Sequence, residues 1–278
     1  RSESSNMLLS GLGIIKAVFA LPKDYDTYFC EGTYIIPALA RKLGLLSKRQ
    51  KIVNILASPL LYYIKTGVIR GIRKRFALWL LKEVDLFVSI GKMEDQILKE
   101  IMPNAKSIIA YPFVREEMRR KLIRIRPNLN SHKILTIGTN SAYYKGIDIV
   151  YQAFKEIKKE FPDAELNIIG NMPDLHKYVD CSYKGVHCLG HVKDITKYIK
   201  ESSLYVHMGR GDTFPVSSLE AMVGGLPTIV SEWTGTKEVV EKVNKQMVSR
   251  LNSNYLYNEI KNYFNLSKNQ KSNISKKF

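Results

Sequence analysis

Cysteine is scarce in this sequence. Only three cysteines occur among 278 residues, Cys30, Cys181 and Cys188, and no two of them form a Cys-x-x-Cys pair. A disulfide framework or a zinc ribbon would need more cysteines at closer spacing. Cys188 and His187 both have spacings to His191 that a metal could use, but the three fall at a strand end. We therefore expect no disulfide framework and no metal site, and we expect a cytoplasmic location.

Long apolar runs are also missing. The longest one, residues 52–64, contains Asn54 and Pro59 and is too short to span a bilayer. No secretory signal is visible, and no Gly-x-x-x-x-Gly-Lys-Ser/Thr motif or Ser-His-Asp arrangement stands out. These absences argue against a membrane-spanning protein, a P-loop nucleotidase and a serine hydrolase. The chain begins with Arg1 rather than Met, which leaves open whether its N-terminal domain is short or truncated.

Acidic residues are too few to balance the basic ones. There are 43 Lys and Arg against 26 Asp and Glu, which gives a formal net charge of +17. Two basic clusters stand out, Lys65–Arg75 and Arg115–Arg126. Such clusters attract anionic surfaces, so we expect peripheral contact with the cytoplasmic face of a membrane; a solvated basic face is the alternative. Nucleic acid is not expected as a partner, because aromatic residues do not interleave with the charges.

Strands and helices alternate along the whole chain. In the second half, apolar patterns predict strands at 133–137, 165–169, 186–189, 204–206 and 228–230 and helices at 146–161, 195–199, 215–223 and 237–243. In the first half they predict strands at 27–30, 52–56, 86–90 and 107–110 and helices at 33–43, 75–84 and 93–101. This alternation predicts an α/β fold with doubly wound, mainly parallel sheets and ligands at the carboxyl ends of the strands. A linker at 128–131 would separate domains at 1–127 and 128–278, and the polar tail 265–278 is expected to fray.

The most informative segment is residues 209–227. A strand leads into a glycine-flanked turn, and a helix then opens at Pro215 and ends at Gly224-Gly225. Asp212 and Thr213 precede the helix as predicted capping acceptors. An open helix start presents backbone N–H groups and a positive dipole end, which suits a phosphate. Asp212 and Glu220 can look along one cleft and hold the hydroxyls of a sugar nucleotide.

A second loop, residues 138–148, leads from a strand into a helix through Lys145-Gly146. With the 209–227 segment, whose Asp212, Glu220 and Ala221-Met222-Val223-Gly224-Gly225-Leu226-Pro227 keep a known spacing, this loop resembles the family-4 retaining glycosyltransferases of GT-B fold. The resemblance implies two Rossmann-like domains facing across a cleft, with an abbreviated N-terminal acceptor domain. It also implies metal-independent transfer of a hexosyl group from a nucleoside-diphosphate sugar to a sugar, lipid-linked or protein acceptor, with retention and without a further cofactor.

The same resemblance assigns roles to individual residues. Lys145 would neutralise the donor diphosphate, Asp212 would orient hydroxyls of the donor sugar, and Glu220 would orient those of the ribose. The full expected donor site consists of Gly138, Thr139, Asn140, Lys145, Val192, Asp212, Thr213, Phe214, Pro215, Val216, Ser217 and Glu220. On the acceptor side, Gly11 and Gly13 form a short glycine pair, and Glu31 stands near the position where the family often carries a His.

The sequence also departs from the family pattern. The first carboxylate of the donor motif is Asp212 instead of Glu, and Thr139 and Asn140 occupy the region of a usual Arg; Arg210 is a candidate substitute. These departures keep two alternatives open. One is a non-catalytic relative that binds a nucleotide sugar or an anion, and the other is a nucleotide-sugar epimerase of the same architecture.

Overall fold

The computed structural model describes residues 13–32 and 34–278. The chain divides into two compact units, Arg1–Tyr111 and Pro112–Phe278. This boundary falls earlier in the chain than the one expected at 127/128. The reason is local packing: the helix at 116–122 contacts the helix at 216–223, and Leu122 is fully buried in the core of the second unit.

The first unit is an open parallel sheet with helices between its strands. The strand order is β1-β2-β3-β4, and every pair is parallel. Its elements are α1 (13–19), β1 (Thr27–Glu31), α2 (Ile35–Lys42), β2 (Lys51–Leu56), α3 (Leu60–Lys65), α4 (Gly71–Leu81), β3 (Leu86–Ser89), α5 (Lys92–Ile101) and β4 (Ser107–Ile109).

Burial in this first sheet is one-sided at its β1 edge. In β1, Tyr28 and Cys30 are buried, whereas Thr27, Phe29 and Glu31 are exposed. Parallel sheets usually bury both faces. The edge strand of the first unit therefore presents an apolar ring, that of Phe29, on an open face.

Buried polar links tie α2 of the first unit to its sheet. The Arg41 guanidinium donates to the Glu83 carbonyl and to Asp85 Oδ2, at 2.6 and 2.9 Å. The same Asp85 oxygen accepts the Ile52 backbone N–H at 2.8 Å. Arg41 thus fixes α2 to the amino ends of β2 and β3.

The second unit contains a larger sheet in the order β10-β9-β8-β5-β6-β7, with all pairs parallel. The strand order reverses between β5 and β8, which is the switch point where such sheets bind ligands. Its elements are α6 (Glu116–Leu122), β5 (Lys133–Ile137), α7 (Ile147–Glu160), β6 (Glu165–Ile169), β7 (Val186–Gly190), α8 (Thr196–Glu201), β8 (Leu204–His207), α9 (Val216–Val223), β9 (Thr228–Ser231), α10 (Lys237–Val243), β10 (Val248–Ser249), α11 (Ser253–Phe264) and α12 (Lys268–Ser275).

Helices cover both faces of this second sheet. Ile134 and Val206 point into the core shared with α7 and α11, whereas Leu135 and Tyr205 point into the core shared with α8 and α9. Neighbouring residues of one strand thus enter opposite cores, as the two-residue period of a strand requires. The α/β fold class with parallel sheets is confirmed.

Two expectations about local structure are wrong. The tail does not fray: Ser267 and Gln270 form a reciprocal capping box that starts α12. The helix predicted at 75–84 occupies Gly71–Leu81 instead. Its apolar residues lie on two sides, with Leu80 and Leu81 buried but Ile72 and Phe76 exposed, so a search for a single apolar face misplaces it.

In the described part of the chain, no helix is long and apolar enough to cross a membrane.

Candidate functional site

The loop after β5 carries the first group of predicted donor-site residues. Gly138 is buried, while Thr139 and Asn140 are exposed. Asn140 has a left-handed backbone, with φ of 70°, and its N–H donates to the Asn171 carbonyl at 3.0 Å. Asn tolerates this conformation better than most residues, so the loop holds a fixed shape at the carboxyl end of β5.

Asp174 braces the same loop from the β6 side. Its carboxylate accepts the Ala142 backbone N–H at 2.7 Å and the Ser141 hydroxyl at 2.9 Å. Partial burial acts to raise the pKa of Asp174, but these hydrogen bonds outweigh burial and lower it. The ionised carboxylate therefore keeps the backbone leading to Lys145 in place.

Lys145 lies at the end of this loop, and two glycines make room for it. A Cβ on Gly138 would stand 3.1 Å from Lys145 Cγ, and a Cβ on Gly146 would overlap the Met208 carbonyl oxygen at 1.8 Å. Gly146 also has a left-handed φ of 69°. Only glycine at 146 lets the loops after β5 and β8 approach closely enough for Lys145 to reach across.

The side chain that Lys145 reaches is Asp212. Lys145 Nζ lies 2.7 Å from Asp212 Oδ2, and both side chains are largely buried. His207 Nε2 lies 2.7 Å from the same oxygen. The ammonium of Lys145 and the imidazole of His207 therefore converge on one carboxylate oxygen at the switch point of the sheet.

The protonation of this cluster follows from its geometry. Burial alone would raise the pKa of Asp212, but His207 and Lys145 more than offset it and lower the pKa to about 2. Because an ionised carboxylate only accepts hydrogen bonds, His207 must carry its hydrogen on Nε2. His207 Nδ1 is buried without a hydrogen-bond partner in the described residues.

The turn that carries Asp212 is anchored through its backbone. Ser231 Oγ donates to the Gly209 carbonyl at 2.6 Å, and Gly235 N–H donates to the Asp212 carbonyl at 2.8 Å. Tyr144 Oη donates to the Gly211 carbonyl at 2.9 Å. The backbone of the turn is thus bonded to the loops of both neighbouring strands.

Helix α9 begins after this turn, with Pro215 at its N-cap position in an extended conformation. The expectation that Asp212 and Thr213 cap the helix is wrong, because no side chain caps it and Asp212 is engaged with Lys145 and His207. Phe214 is buried and Val216 is exposed. An uncapped start leaves backbone donors available to an anionic ligand.

Glu220 lies within α9 and is half-buried. Burial raises its pKa, and the Arg115 charge acts in the opposite direction. Burial also raises the pKa of Tyr205, and the charges of Asp212 and Glu220 add to that rise. Tyr205 Oη donates to Ser217 Oγ at 2.9 Å. Asp212 and Glu220 are thus both close enough to Tyr205 for their charges to act on its phenol.

Arg210 is adjacent to this neighbourhood but is already engaged. Its guanidinium forms a two-pronged ion pair with Asp148, at 2.8 and 2.7 Å, and lies 3.9 Å from the ring centroid of Tyr143. Val192, the other outlying member of the predicted donor site, is partly buried against the α8–α9 core. The structure therefore assigns Arg210 to bracing α7 and the 138–146 loop.

The predicted acceptor-side residues belong to the first unit. Glu31 is exposed at the carboxyl end of β1, and Gly13 is an exposed residue of α1 rather than of a loop. Gly11 lies outside the described residues.

The cysteines near β7 correct one expectation. Cys181 and Cys188, seven residues apart, form a disulfide, and Cys30 is free and buried. Sequence reasoning missed this bond because it looked for a framework of several cysteines. Among residues 13–32 and 34–278, no group of three or more metal-binding side chains comes together.

Three supporting residues escaped the sequence analysis: His207, Asp174 and Ser231. His207 had a readable signal, since it ends a strand five residues before Asp212. Asp174 and Ser231 act through contacts with distant loops, and no local pattern marks them.

Comparison with known proteins finds a family match in the part of the chain that carries these loops. Residues 131–265 match the family model described as "Glycosyl transferases group 1". That segment contains the 138–146 loop, Asp212 and α9.

Two curated relatives cover parts of the chain. An uncharacterized glycosyltransferase of Haemophilus influenzae is 29% identical over 120 residues, which cover 41% of this chain and 33% of the relative. The N,N'-diacetylbacillosaminyl-diphospho-undecaprenol alpha-1,3-N-acetylgalactosaminyltransferase of Campylobacter jejuni is 23% identical over 157 residues, covering 55% of this chain and 40% of the relative. Both matches thus span less than half of the relatives' own lengths.

Among solved structures, Anabaena HepE in complex with UDP and glucose superimposes with a TM-score of 0.69. It is 17% identical, and the match covers 94% of this chain and 74% of HepE. This likeness confirms a fold of the GT-B type.

Proposed function

We propose that this chain transfers a hexosyl group from a nucleoside-diphosphate sugar to an acceptor, with retention of configuration and without a metal ion. The observation that carries the proposal is the convergence of Lys145, His207 and Asp212 at the carboxyl ends of β5 and β8. It lies within the segment that matches the glycosyl transferase group 1 family.

Negative charge builds up on the leaving diphosphate during the reaction. Positive groups that are already in place stabilise this charge without having to reorganise. Lys145 supplies a cation, and the uncapped start of α9 supplies backbone N–H groups. Asp212 Oδ2 already accepts contacts from both Lys145 and His207. The geometry therefore favours Asp212 as a group that positions Lys145, in addition to the role toward donor hydroxyls expected from the sequence.

Glu220 is the proposed ribose ligand. It is half-buried on α9, and its pKa is raised by burial. A carboxylate accepts hydrogen bonds from two neighbouring hydroxyls without needing a metal. The remaining proposed donor contacts are Gly138, Thr139 and Asn140 from the first loop, Val192 after β7, and Thr213, Phe214, Pro215, Val216 and Ser217 around the start of α9.

The acceptor is proposed to be lipid-linked, since the name of the Campylobacter relative specifies a diphospho-undecaprenol acceptor. Association with the cytoplasmic face of an anionic membrane through basic residues fits such an acceptor.

A non-catalytic relative that only binds a nucleotide sugar is the second candidate. The observation in its favour is that the Lys145 charge is already paired with Asp212, so that a bound diphosphate would have to compete for it. Incubation with labelled UDP-, GDP- and ADP-sugars separates the candidates. Release of the nucleoside diphosphate supports the enzyme, whereas binding without release supports the relative.

The direct test begins with thermal shift measurements against nucleoside diphosphates. A ligand at one hundred times its Kd should stabilise the protein by about 2.7 kcal/mol. With the donor identified, Glu220→Gln should abolish most turnover, whereas Glu241→Gln on the exposed side of α10 should not change it. NMR of the product then reports the anomeric configuration. Full turnover by Glu220→Gln, or an inverted product, would contradict the proposal.

A further inference from the structure

Helix α4 and the turn before it expose a stripe of apolar side chains. Val68, Ile72, Phe76 and Trp79 are 65%, 83%, 52% and 42% exposed. They recur every three or four residues, which places the three helical members along one side of α4. The rings of Phe76 and Trp79 stack at 5.8 Å. These four residues are called the α4 stripe below.

The stripe lies opposite the side by which α4 packs onto its own unit. Leu80 and Leu81 are buried almost completely. The helix is therefore already anchored without the α4 stripe. A folded monomer has no internal use for four large apolar side chains held in water on one line.

Basic residues surround the α4 stripe. Arg70, Arg73, Lys74 and Arg75 alternate with its members, and no Asp or Glu occurs between Thr66 and Lys82. Within the described part of the chain, no carboxylate forms an ion pair with any of these four cations. Their charge is thus available to an anionic partner.

The second basic cluster, Arg115–Arg126, is built differently. On α6, Arg119 and Arg120 pair with Glu116, and Lys121 pairs with Glu117. The apolar residues Met118 and Leu122 pack against the core of the second unit. This cluster therefore combines partly neutralised charge with a covered apolar side.

We propose that the α4 stripe and its four basic neighbours dock the protein on an anionic lipid bilayer. The side chains of Ile72, Phe76 and Trp79 enter the boundary between headgroups and acyl chains, and the arginines contact lipid phosphates. A helix with one apolar side and a basic remainder lies in the interface plane in this way, and Trp favours that depth. Each cation near such a surface strengthens binding, and salt screens that contribution. This proposal rests on the membrane association proposed above and assigns it to one surface. It does not depend on the proposed sugar transfer.

Vesicle sedimentation of the full chain tests this proposal. The protein should pellet with vesicles of phosphatidylcholine and phosphatidylglycerol at low salt and should stay in solution with phosphatidylcholine alone. The double variant Ile72→Ser/Phe76→Ser should lower the partition coefficient about tenfold, because the loss of apolar burial weakens insertion. Arg73→Gln/Arg75→Gln should weaken binding and reduce its dependence on salt. The matched control Arg119→Gln/Arg120→Gln should bind as the parent does.

Trp79 provides a second readout, since the chain contains only one other tryptophan, Trp233. In a Trp233→Phe background, emission should shift to the blue on anionic vesicles and be quenched by brominated acyl chains. An unshifted spectrum, or equal pelleting of the Ile72→Ser/Phe76→Ser variant, would overturn the proposal. So would a concentration-dependent dimer that the same variant abolishes, because the stripe would then bind a second copy.

The same variants should keep the thermal shift that a nucleoside diphosphate produces. If neither the parent nor the variants bound a nucleoside diphosphate while the parent still bound vesicles, the proposed sugar transfer would be wrong. The proposed docking surface would be unaffected.

Discussion

Two buried carboxylates, Asp212 in the second unit and Glu94 in the first, have opposite surroundings. In the second unit, the buried carboxylate of Asp212 is matched by Lys145 and His207 at 2.7 Å each. In the first unit, Glu94 on α5 is fully buried, and neither of its carboxylate oxygens has a hydrogen-bond partner among the described residues. The two units also differ in exposed apolar surface. The first unit exposes the α4 stripe, whereas helices cover both faces of the sheet in the second.

This difference fits the ligand proposed for each unit, a nucleotide sugar for the second and a lipid surface for the first. Paired charges at a switch point form a preorganised site for a small anionic molecule, which has to be held in one geometry. Exposed rings beside cations suit an extended surface, which requires no fixed geometry. The four predictions that follow test the contrast in order of decreasing effect.

Removal of the cation at the switch point should have the largest effect. We expect Lys145→Ala to lower kcat about 10²–10³-fold, as loss of one preorganised electrostatic contact does in other enzymes. The rate of nucleoside diphosphate release from the donor measures this. Lys159→Ala, on the surface of α7, is the control and should turn over normally. If Lys145→Ala turned over as fast as the parent, the charges at the switch point would not form the proposed site for the diphosphate.

His207 should matter for both stability and binding. His207→Ala leaves the buried Asp212 short of one donor, so the free energy of unfolding should fall by about 2–4 kcal/mol. Asp212 should then hold Lys145 more firmly and weaken nucleoside diphosphate binding. Urea denaturation and thermal shift measure the two effects.

His207→Gln, which can keep an N–H donor, should recover part of both losses. His187→Ala, on the exposed side of β7, should change neither. If His207→Ala destabilised the protein but bound nucleotide normally, His207 would serve only the fold.

Glu94 should make the first unit sensitive to alkali. Burial raises its pKa to about 8, whereas Glu in an unfolded chain titrates near about 4.3. The folded state therefore holds the proton more tightly, and its stability falls as the pH rises from about 4.3 to about 8. Glu94→Gln, which resembles the neutral acid, should match the free energy of unfolding of the parent at pH 4 and exceed it by a growing margin up to about pH 8.

Urea midpoints of both proteins across this pH range provide the measurement. Glu100→Gln on the same helix is the control, and it should follow the parent. A parallel pH dependence of Glu94→Gln and the parent would show that the buried acid finds a partner.

The disulfide should have the smallest effect. Replacing both Cys181 and Cys188 with Ser should cost roughly 2 kcal/mol of stability, because the loop they close is short. Donor binding should not change, since neither cysteine belongs to the proposed site. Mass spectrometry with and without reductant checks that the bond forms, and a weakened nucleotide-induced thermal shift would tie this loop to the donor.

In both units the sequence predicted the strands better than the helices. Strands β5 and β6 occur at the predicted residues because buried parallel strands are short apolar runs between polar loops. The helices α3, α6 and α11 were missed, since their apolar residues alternate with tyrosines or charges. Ser267 and Gln270 had the spacing of a capping box, yet the polar composition around them suggested a frayed tail.

For the candidate site, spacing located Lys145, Asp212 and Glu220 on the right loops and helix. It could not show that Asp212 faces Lys145 and His207 rather than open solvent, because that pairing depends on two strands, β5 and β8, ending side by side. The role of Arg210 was equally hidden, since its partner Asp148 lies on another helix.

Helix α12 touches the site from behind. Ser275 Oγ donates to the Gly225 carbonyl at 2.5 Å, in the turn that ends the helix bearing Glu220. A protease cut ahead of Ser267 would therefore disturb the far end of α9. Enzymologists should expect that disturbance to register in donor affinity before it registers in solubility.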